Sequence, residues 1–340
     1  MVTGAGSVVG QGIIKALRLS NLPVTLVASD ISPLNAGLFR ADEAILLPKV
    51  ESDGALETII NSLREYRIEA VLVGSEFDMA FFAMHREKIE RETDARVVVS
   101  PVDVVALAHD KHRTVQFLQK NGLPYPDTRA PTTLAEAFEA GATLGYPLIL
   151  KARSGTSNRH VHVIEDKGEL EAVFARVPDP LMQVLIARPG PTLENEYTCS
   201  IFKAADGTVF GPFTARRTLR GGSSWIVEVR AFSRIMPLLR RIAELLPIRG
   251  TFNVQLMVGR DGAVPFEFNA RFSGTTAIRA HFGFNEAEMA IRSFVLGETL
   301  SKPTIREGVA LRYEEEIFID GACADSLVMP LPRGEVHAWF

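Results

Sequence analysis

Val264-Pro265-Phe266-Glu267-Phe268-Asn269-Ala270-Arg271-Phe272 is the stretch that decides how this chain is read. Its period of two predicts a strand with Glu267, Asn269 and Arg271 on one face, and Phe266, Phe268 and Phe272 on the other face or flanking it. A carboxylate and an amide two residues apart are oxygen donors suited to Mg²⁺, which takes one or two carboxylates together with substrate phosphates. Arg271 beside them can grip an anion through paired N–H donors. The Asp261-Gly262 pair just upstream signals a hairpin turn. Across that turn Gln255 adds another oxygen on the same face. A solvated strand face with an ordinary Glu–Arg pair is the competing reading, so the rest of the chain must decide.

Outward from this strand, Glu196 to Phe202, Val209 to Ala215, Trp225 to Val229 and Asn253 to Val258 alternate as strands. Helices are expected at Ser233 to Leu246 and Asn285 to Leu296, giving a mostly antiparallel sheet with helices against it. The first hundred residues differ. Short apolar runs at Val24 to Ala28, Ala44 to Leu47, Ala70 to Val73 and Arg96 to Val99 alternate with helical patterns at Ile13 to Leu19, Leu56 to Tyr66 and Phe77 to Ile89. That is the signature of a parallel sheet flanked by helices. Only Met1 and Val2 precede the first turn, which is short for a buried strand. A start codon placed too far downstream, or a clipped edge, is the expectation there.

Between these regions, Asp110-Lys111 opens a helix that stops at Asn121-Gly122. Leu134 to Leu144 is helical. Pro147 to Arg153 is a strand that carries Lys151 into the small-residue loop Ser154 to Asn158. Val161 to Ile164, a helix to about Ala175, and Leu181 to Ala187 complete a small unit. Lys111 and Lys151 are candidate phosphate cations, with the loop as a flexible cover. Taken singly, either lysine reads as a surface residue. The apolar segment around Val184, Leu185 and Ile186 can offer backbone groups to an adenine edge, with a carboxylate such as Glu194 or Glu196 on a ribose.

Composition narrows the partners. The 340 residues carry 37 basic and 41 acidic side chains, a formal net charge of −4, which offers no global field for nucleic acid or an anionic membrane. The two cysteines, Cys199 and Cys323, can form neither a disulfide framework nor a Cys-rich zinc site. No apolar run reaches membrane-spanning length and no secretory pattern opens the chain, so a cytoplasmic location is expected. The loop Thr3-Gly4-Ala5-Gly6-Ser7-Val8-Val9-Gly10, with Asp30 after the next strand, raises an NAD(P)-dependent oxidoreductase as an alternative. Its spacing leaves short-chain dehydrogenases as the nearest match, and those need Tyr-x-x-x-Lys. Four residues after Tyr66, Tyr125, Tyr146, Tyr197 and Tyr313 stand Ala70, Arg129, Leu150, Ile201 and Ile317.

The order Asp-Lys, strand-Lys-small loop, apolar hinge, Glu196-Tyr197-Thr198 and Glu267-x-Asn269-x-Arg271 resembles the ATP-grasp superfamily, in the group similar to one half of the carbamoyl-phosphate synthetase large subunit. The resemblance covers nearly the whole chain. It implies an α/β and α+β architecture: a Rossmann-like pre-ATP-grasp domain over 1–109, a small lid subdomain with its lead-in helix over 110–187, and an antiparallel large subdomain over 188–340. It implies ATP and Mg²⁺ (one ion or two, with Mn²⁺ as a substitute). By the same resemblance Lys111 and Lys151 bind phosphate, Val184 to Ile186 form the adenine hinge, and Glu196 holds the ribose. Gln255, Glu267 and Asn269 are implied metal ligands, with Arg271, Lys151 and Arg217 catalytic. Arg216 and Arg217 face the terminal phosphate or the carboxylate substrate, and Glu76 and Asp78 build the substrate side. Val184 stands where relatives usually carry Glu, and the loop has one glycine where relatives have several. The implied reaction is ligation of a small-molecule carboxylate to an amine through an acyl phosphate. A carboxylate kinase and a non-catalytic ATP-binding regulatory module are the alternatives. The tail Pro330 to Phe340 is read as a candidate homodimer contact.

Overall fold

The computed structural model describes residues 1–155, 160–188 and 193–320, together with 324, 327, 329 and 331. Of the readings above, Thr156 to Asn158 of the small-residue loop, Cys323 and almost all of the tail fall outside the described residues.

The first hundred residues form a parallel sheet. Strands β1 (Val27–Asp30) and β2 (Glu43–Leu46) pair in parallel, as do β3 (Ala70–Leu72) and β4 (Arg96–Val98). Val2 joins the two pairs through parallel bridges to Ala28 and Leu72. The expected first strand is thus a single bridging residue. The strand expected at Val24 begins at Val27 and runs on to Asp30. Helices α1 (Val8–Arg18), α2 (Ala55–Glu65), α3 (Met79–Glu92) and α4 (Val102–His109) cover the sheet. Ser7 caps α1, its hydroxyl accepting from Gly10 N at 2.8 Å and donating to Gly74 O at 2.7 Å. A Cβ on Gly10 would sit 2.2 Å from Gly4 O, so the loop closes on the helix only with glycine there.

Helix α5 (Lys111–Lys120) is capped by Asp110, which accepts from His112 N and Arg113 N at 2.9 and 3.1 Å. A four-stranded antiparallel sheet follows. It is built from β5 (Thr128–Arg129), β6 (Leu148–Ala152), β7 (Val161–Ile164) and β8 (Pro180–Val184), in the order β5-β8-β6-β7. Helices α6 (Leu134–Leu144) and α7 (Lys167–Phe174) pack on it around Leu148, Leu150, Ile164 and Leu170. Thr133 and Glu136 form a capping box that starts α6.

The largest sheet holds six strands in the order β13-β12-β9-β10-β11-β14, every pair antiparallel. They are β9 (Glu196–Lys203), β10 (Val209–Arg220), β11 (Ser223–Val229), β12 (Gly250–Gly259), β13 (Gly262–Asn269) and β14 (Gly308–Leu311). Helix α8 (Met236–Leu245) lies on one face with Phe252 and Phe268. Helices α9 (Thr276–His281) and α10 (Glu286–Ala290) lie on the other, where Phe202, Phe213 and Phe284 are buried. The helix expected at Asn285 to Leu296 changes to a π turn over Ile291–Val295. Burying each phenylalanine contributes about 2–3 kcal/mol, so both faces of this sheet are firmly held.

Candidate active site between two sheets

Two short devices bring the lysines together. The Asp110 carboxylate accepts from Arg153 Nε at 2.9 Å and Nη2 at 2.8 Å, a bidentate pair that clips the start of α5 to the end of β6. Lys111 N then donates to Arg153 O at 3.1 Å, and Lys111 Nζ to Gly155 O at 3.0 Å. The acid of the Asp-Lys pair therefore places the base. Lys151 sits two residues inward of the clip, 5 % exposed, with Nζ 5.5 Å from the Phe266 ring centre. Burial pushes its pKa from 10.5 to about 7, with Glu267 opposing and Lys111 adding to the shift.

On the large sheet, Gln255 pairs directly with Glu267 and Asn253 with Asn269. Glu267 Oε1 accepts from Gln255 Nε2 at 3.0 Å and from Asn269 Nδ2 at 3.1 Å. The expected donors thus converge on one carboxylate. Each amide oxygen faces an arginine: Gln255 Oε1 accepts from Arg217 Nη2 at 2.7 Å, and Asn269 Oδ1 from Arg271 Nη2 at 2.9 Å. Arg217 is also bound to Glu196 Oε1 through Nη2 at 2.7 Å and Nε at 3.0 Å, and to Ser224 Oγ at 3.1 Å. Arg271 donates to Glu76 and to Phe272 O. Both arginines act here as clamps that fix the acids and amides around them.

Three expectations are corrected. Phe266 does not turn away from Glu267: a bulge between Gln255 and Leu256 leaves Phe266 without a partner, and both side chains line one pocket. Arg216 does not share Arg217's face. It pairs with Glu228 on the other side of β10, since neighbouring strand residues point oppositely. Glu76 reaches the cleft, but Asp78 does not line it; Asp78 accepts from Thr3 Oγ1 at 3.0 Å in an adjoining cavity that shares Gly6, Ser7, Ser75 and Phe77 with the cleft, and burial raises its pKa to about 6. At Glu76, burial raises the pKa but the Arg271 charge and bonds from His109 and Arg271 outweigh it, leaving about 2.

The cleft has a volume of about 450 Å³ and is walled by Lys111, Arg217, Gln255, Glu267 and Arg271. A second pocket of about 130 Å³ shares Lys111, Val161, Gln255 and Glu267 with it. That pocket holds every remaining expected residue of this side: Lys151, Val184, Leu185, Ile186 and Glu196, with Ile149, Met257 and Phe266 as apolar walls. Val184 N donates to Asp127 O at 3.0 Å. Among the described residues nothing hydrogen-bonds the backbone of Leu185 or Ile186. A planar heterocycle with donor and acceptor edges fits such a wall.

Arg312 lines the cleft and was not singled out in the sequence. It follows β14, a strand with no alternating signal, and burial alone pushes its pKa down. Asn253 was missed as well, since its amide sits among strand residues of mixed character.

The glycine loop does not present its amides to a pyrophosphate. Gly6 N donates to Asp30 Oδ2 at 2.8 Å, and the Asn35 side chain, bound to Asp30 Oδ1 at 2.6 Å, lies over Gly6. The acid that a dinucleotide reading would place on a ribose thus closes the loop itself.

Two antiparallel sheets gripping a cleft, behind a parallel sheet, make up the ATP-grasp fold, and this chain is similar to the carbamoyl-phosphate-synthetase-like group of that fold. Residues 191–317 match the family described as ATP-grasp in the biosynthetic pathway with Ter operon, and residues 3–98 match the PylC-like N-terminal domain. The carbamoyl phosphate synthase large chain of Halobacterium salinarum is 23% identical over 92% of this chain and 32% of its own length. That of Pyrococcus furiosus is 22% identical over 86% of this chain and 29% of its own. The chain thus spans about a third of the curated relatives it matches. Among solved structures, the biotin carboxylase domain of Hydrogenobacter thermophilus 2-oxoglutarate carboxylase, in complex with MgADP, ADP and bicarbonate, aligns with a TM-score of 0.74 at 17% identity, covering 95% of this chain and 79% of that one. N5-carboxyaminoimidazole synthetase from Staphylococcus aureus, complexed with ADP, aligns with a TM-score of 0.71 at 15% identity over 91% and 79%. Among the described residues no helix is long and apolar enough to cross a membrane.

Proposed function

We propose that this chain is an ATP-dependent ligase that activates a small-molecule carboxylate as an acyl phosphate and joins it to an amine. The observation that carries the reading is convergence: Lys111, Lys151, Gln255 and Glu267, drawn from two sheets and a helix start, line two adjoining cavities, and Lys111, Gln255 and Glu267 line both. We divide the chain for this purpose at 1–109, 110–187 and 188–340. Adenine takes the pocket beside Val184 to Ile186, where the backbone groups of Leu185 and Ile186 meet its edge. The ribose lies toward Glu196, and the phosphates run between the two lysines.

The donor set fits Mg²⁺. Gln255, Glu267 and Asn269 offer hard oxygen atoms, and among the described residues no cluster of three His, Cys, Asp or Glu offers another metal site. One carboxylate and two neutral amides attract a divalent cation weakly, so Mg²⁺ would arrive with the nucleotide. When bound, it neutralises charge on the phosphates. The amides at present turn their N–H groups to Glu267 and their oxygens to Arg217 and Arg271.

In the reaction, a carboxylate oxygen attacks the terminal phosphorus in line and ADP leaves with the bridging oxygen. Lys111 and Lys151 stabilise charge on the transferring group, which is most of what a protein contributes to phosphoryl transfer. Arg271, held by Glu76, and Arg312 face the carboxylate side. The amine nitrogen then attacks the acyl carbon, phosphate departs, and the nitrogen loses a proton. Hydrolysis of the intermediate competes, so the cleft must exclude water.

The test is ADP release with Mg²⁺ and ATP against pooled carboxylates crossed with pooled amines, with Glu267→Ala as control. Release that needs one pool of each, and that vanishes in the control, is the expected result. Release with a carboxylate alone replaces the ligase with a kinase. Tight ATP binding without ADP release under any pool replaces it with a regulatory module.

A further inference from the structure

A cavity of about 520 Å³ opens over the parallel sheet, beside the cleft. Its residues follow the carboxyl ends of four parallel segments: Thr3 after the Val2 bridge, Ile31 after β1, Leu47 after β2 and Ser75 after β3. Val2 bridges Ala28 on one side and Leu72 on the other, so the later strands fall on both sides of it. In open α/β sheets the crevice at such a switch receives ligands. Here Asp30 occupies the amide of Gly6, so the glycine loop leaves the crevice to something other than a phosphate. The floor is apolar. Leu47, Ile59 and Phe82 are buried beneath it, and Ile31 and Val50 stand nearer the rim.

One carboxylate in this cavity is left without a counter-charge. Asp78 stands just before α3, where an aspartate commonly caps the helix, yet its side chain makes no capping bond. It turns to Thr3 instead, whose hydroxyl donates to Oδ2 at 3.0 Å. Oδ1 has no hydrogen-bond partner among the described residues. The neighbouring acids differ. Asp30 engages both oxygens, with Gly6 N, Ile31 N and the Asn35 amide. Glu51 is exposed. Glu76, two residues before Asp78, turns to the cleft and is answered by Arg271. At Asp78 burial raises the pKa, with the Thr3 hydroxyl opposing and Asp30 and Glu51 adding to the rise. Lys49 lines the same cavity but is exposed and makes no ion pair with Asp78. A carboxylate this far from water is stabilised by a cation.

The charges sort the two substrates of a ligase. A carboxylate is repelled by the acids here and meets Arg271 and Arg312 in the cleft. An ammonium supplies what Asp78 lacks, and an apolar body covers the floor. Gly6, Ser7, Ser75 and Phe77 line both cavities, so a nitrogen beside Asp78 lies at the way into the cleft. Phe77 is 76 % exposed at this junction, and its N–H donates to Ser75 Oγ at 3.2 Å. Its ring is free to cover the same apolar body. We propose that this cavity binds the amine substrate, an alkyl or arylalkyl primary amine whose ammonium pairs with Asp78 Oδ1 and whose body lies over Leu47, Ile59 and Phe82. The proposal rests on the ligase reading of the cleft.

Calorimetric titration with hexylamine and 2-phenylethylamine, with Mg-ADP present, tests the cavity apart from turnover. Three further probes separate charge from body: hexanol, hexanoate and ethanolamine. Hexylamine is expected to bind at least about tenfold more tightly than each of them. Asp78→Asn keeps an oxygen for the Thr3 hydroxyl, and so the fold, while removing the charge. It should weaken both amines about tenfold and leave hexanol within about twofold. Phe77→Ala, at an exposed side chain, should weaken 2-phenylethylamine about threefold. Both variants should keep the wild-type circular dichroism spectrum. Wild-type affinity for the amines in Asp78→Asn, hexanol binding as tightly as hexylamine, or no binding of either amine would overturn the assignment. ADP release with Mg-ATP and pooled carboxylates reads the ligase itself. Release that depends on small polar amines alone, unchanged in Asp78→Asn, keeps the ligase and removes this inference. Amines that bind through Asp78 while no amine of any pool stimulates release remove the ligase reading, and with it the substrate role of the cavity.

Discussion

Raising the pH from 7 to 9 should weaken nucleotide binding through Lys151. Its amine lies 5 % exposed at the end of β6, and burial lowers its pKa from 10.5 to about 7. That difference corresponds to ~5 kcal/mol disfavouring the charged form in the empty cleft. At pH 8 about one molecule in ten then carries the proton. Phosphate oxygens beside the amine favour the ammonium, so the pKa in the complex moves back up. Binding at pH 8 should accordingly take up close to one proton, and affinity should fall about tenfold per pH unit above 7 until the pKa of the complex is reached. Titrating Mg-ADP in buffers of different ionisation enthalpy measures this uptake directly. Heats independent of the buffer at pH 8, or an uptake that persists in Lys151→Met, would refute the reasoning. The same shift predicts a stability effect. The folded pKa lies below the unfolded value, so the wild-type protein loses stability as pH falls from 10.5 toward 7, and the loss is constant below that. Lys151→Met without nucleotide should therefore be more stable, by up to about 3 kcal/mol at pH 8, and should melt higher.

Glu267→Gln should abolish turnover yet melt within a few degrees of the wild type, because Glu267 faces the cleft and its partners are polar groups that water can satisfy; a large fall in melting temperature would show a structural role instead. Glu76→Gln removes a carboxylate held near pKa 2 by Arg271, and should cost about 1–3 kcal/mol at pH 7. Since that folded pKa lies below 4.5, the stabilisation is complete above pH 4.5 and is lost as pH falls toward 2, so wild type and variant should converge in acid urea titrations. Phe268→Ala empties a site packed against Phe252 and Phe117 beneath the metal-ligand candidates, and should cost about 3–5 kcal/mol by urea denaturation, with turnover lost as β13 loosens.

Much of this protein is local and so was legible in its sequence. Asp110, Asn121-Gly122 and the apolar spacing between them bound α5, and Asp261-Gly262 turns a hairpin. Alternation along β12 and β13 was enough to bring Gln255 opposite Glu267, because strand register follows from a tight turn. What a periodicity cannot carry is a bulge or a long-range clip. The bulge opposite Leu256 turned Phe266 toward Lys151. The Asp110–Arg153 pair, spanning 43 residues, joined two lysines that singly looked like surface charges. Arg312 entered the cleft after a strand without an alternating pattern. Each depends on which charged groups the packed fold leaves facing one another in a place water cannot reach. Chain order alone does not determine that; tertiary packing does.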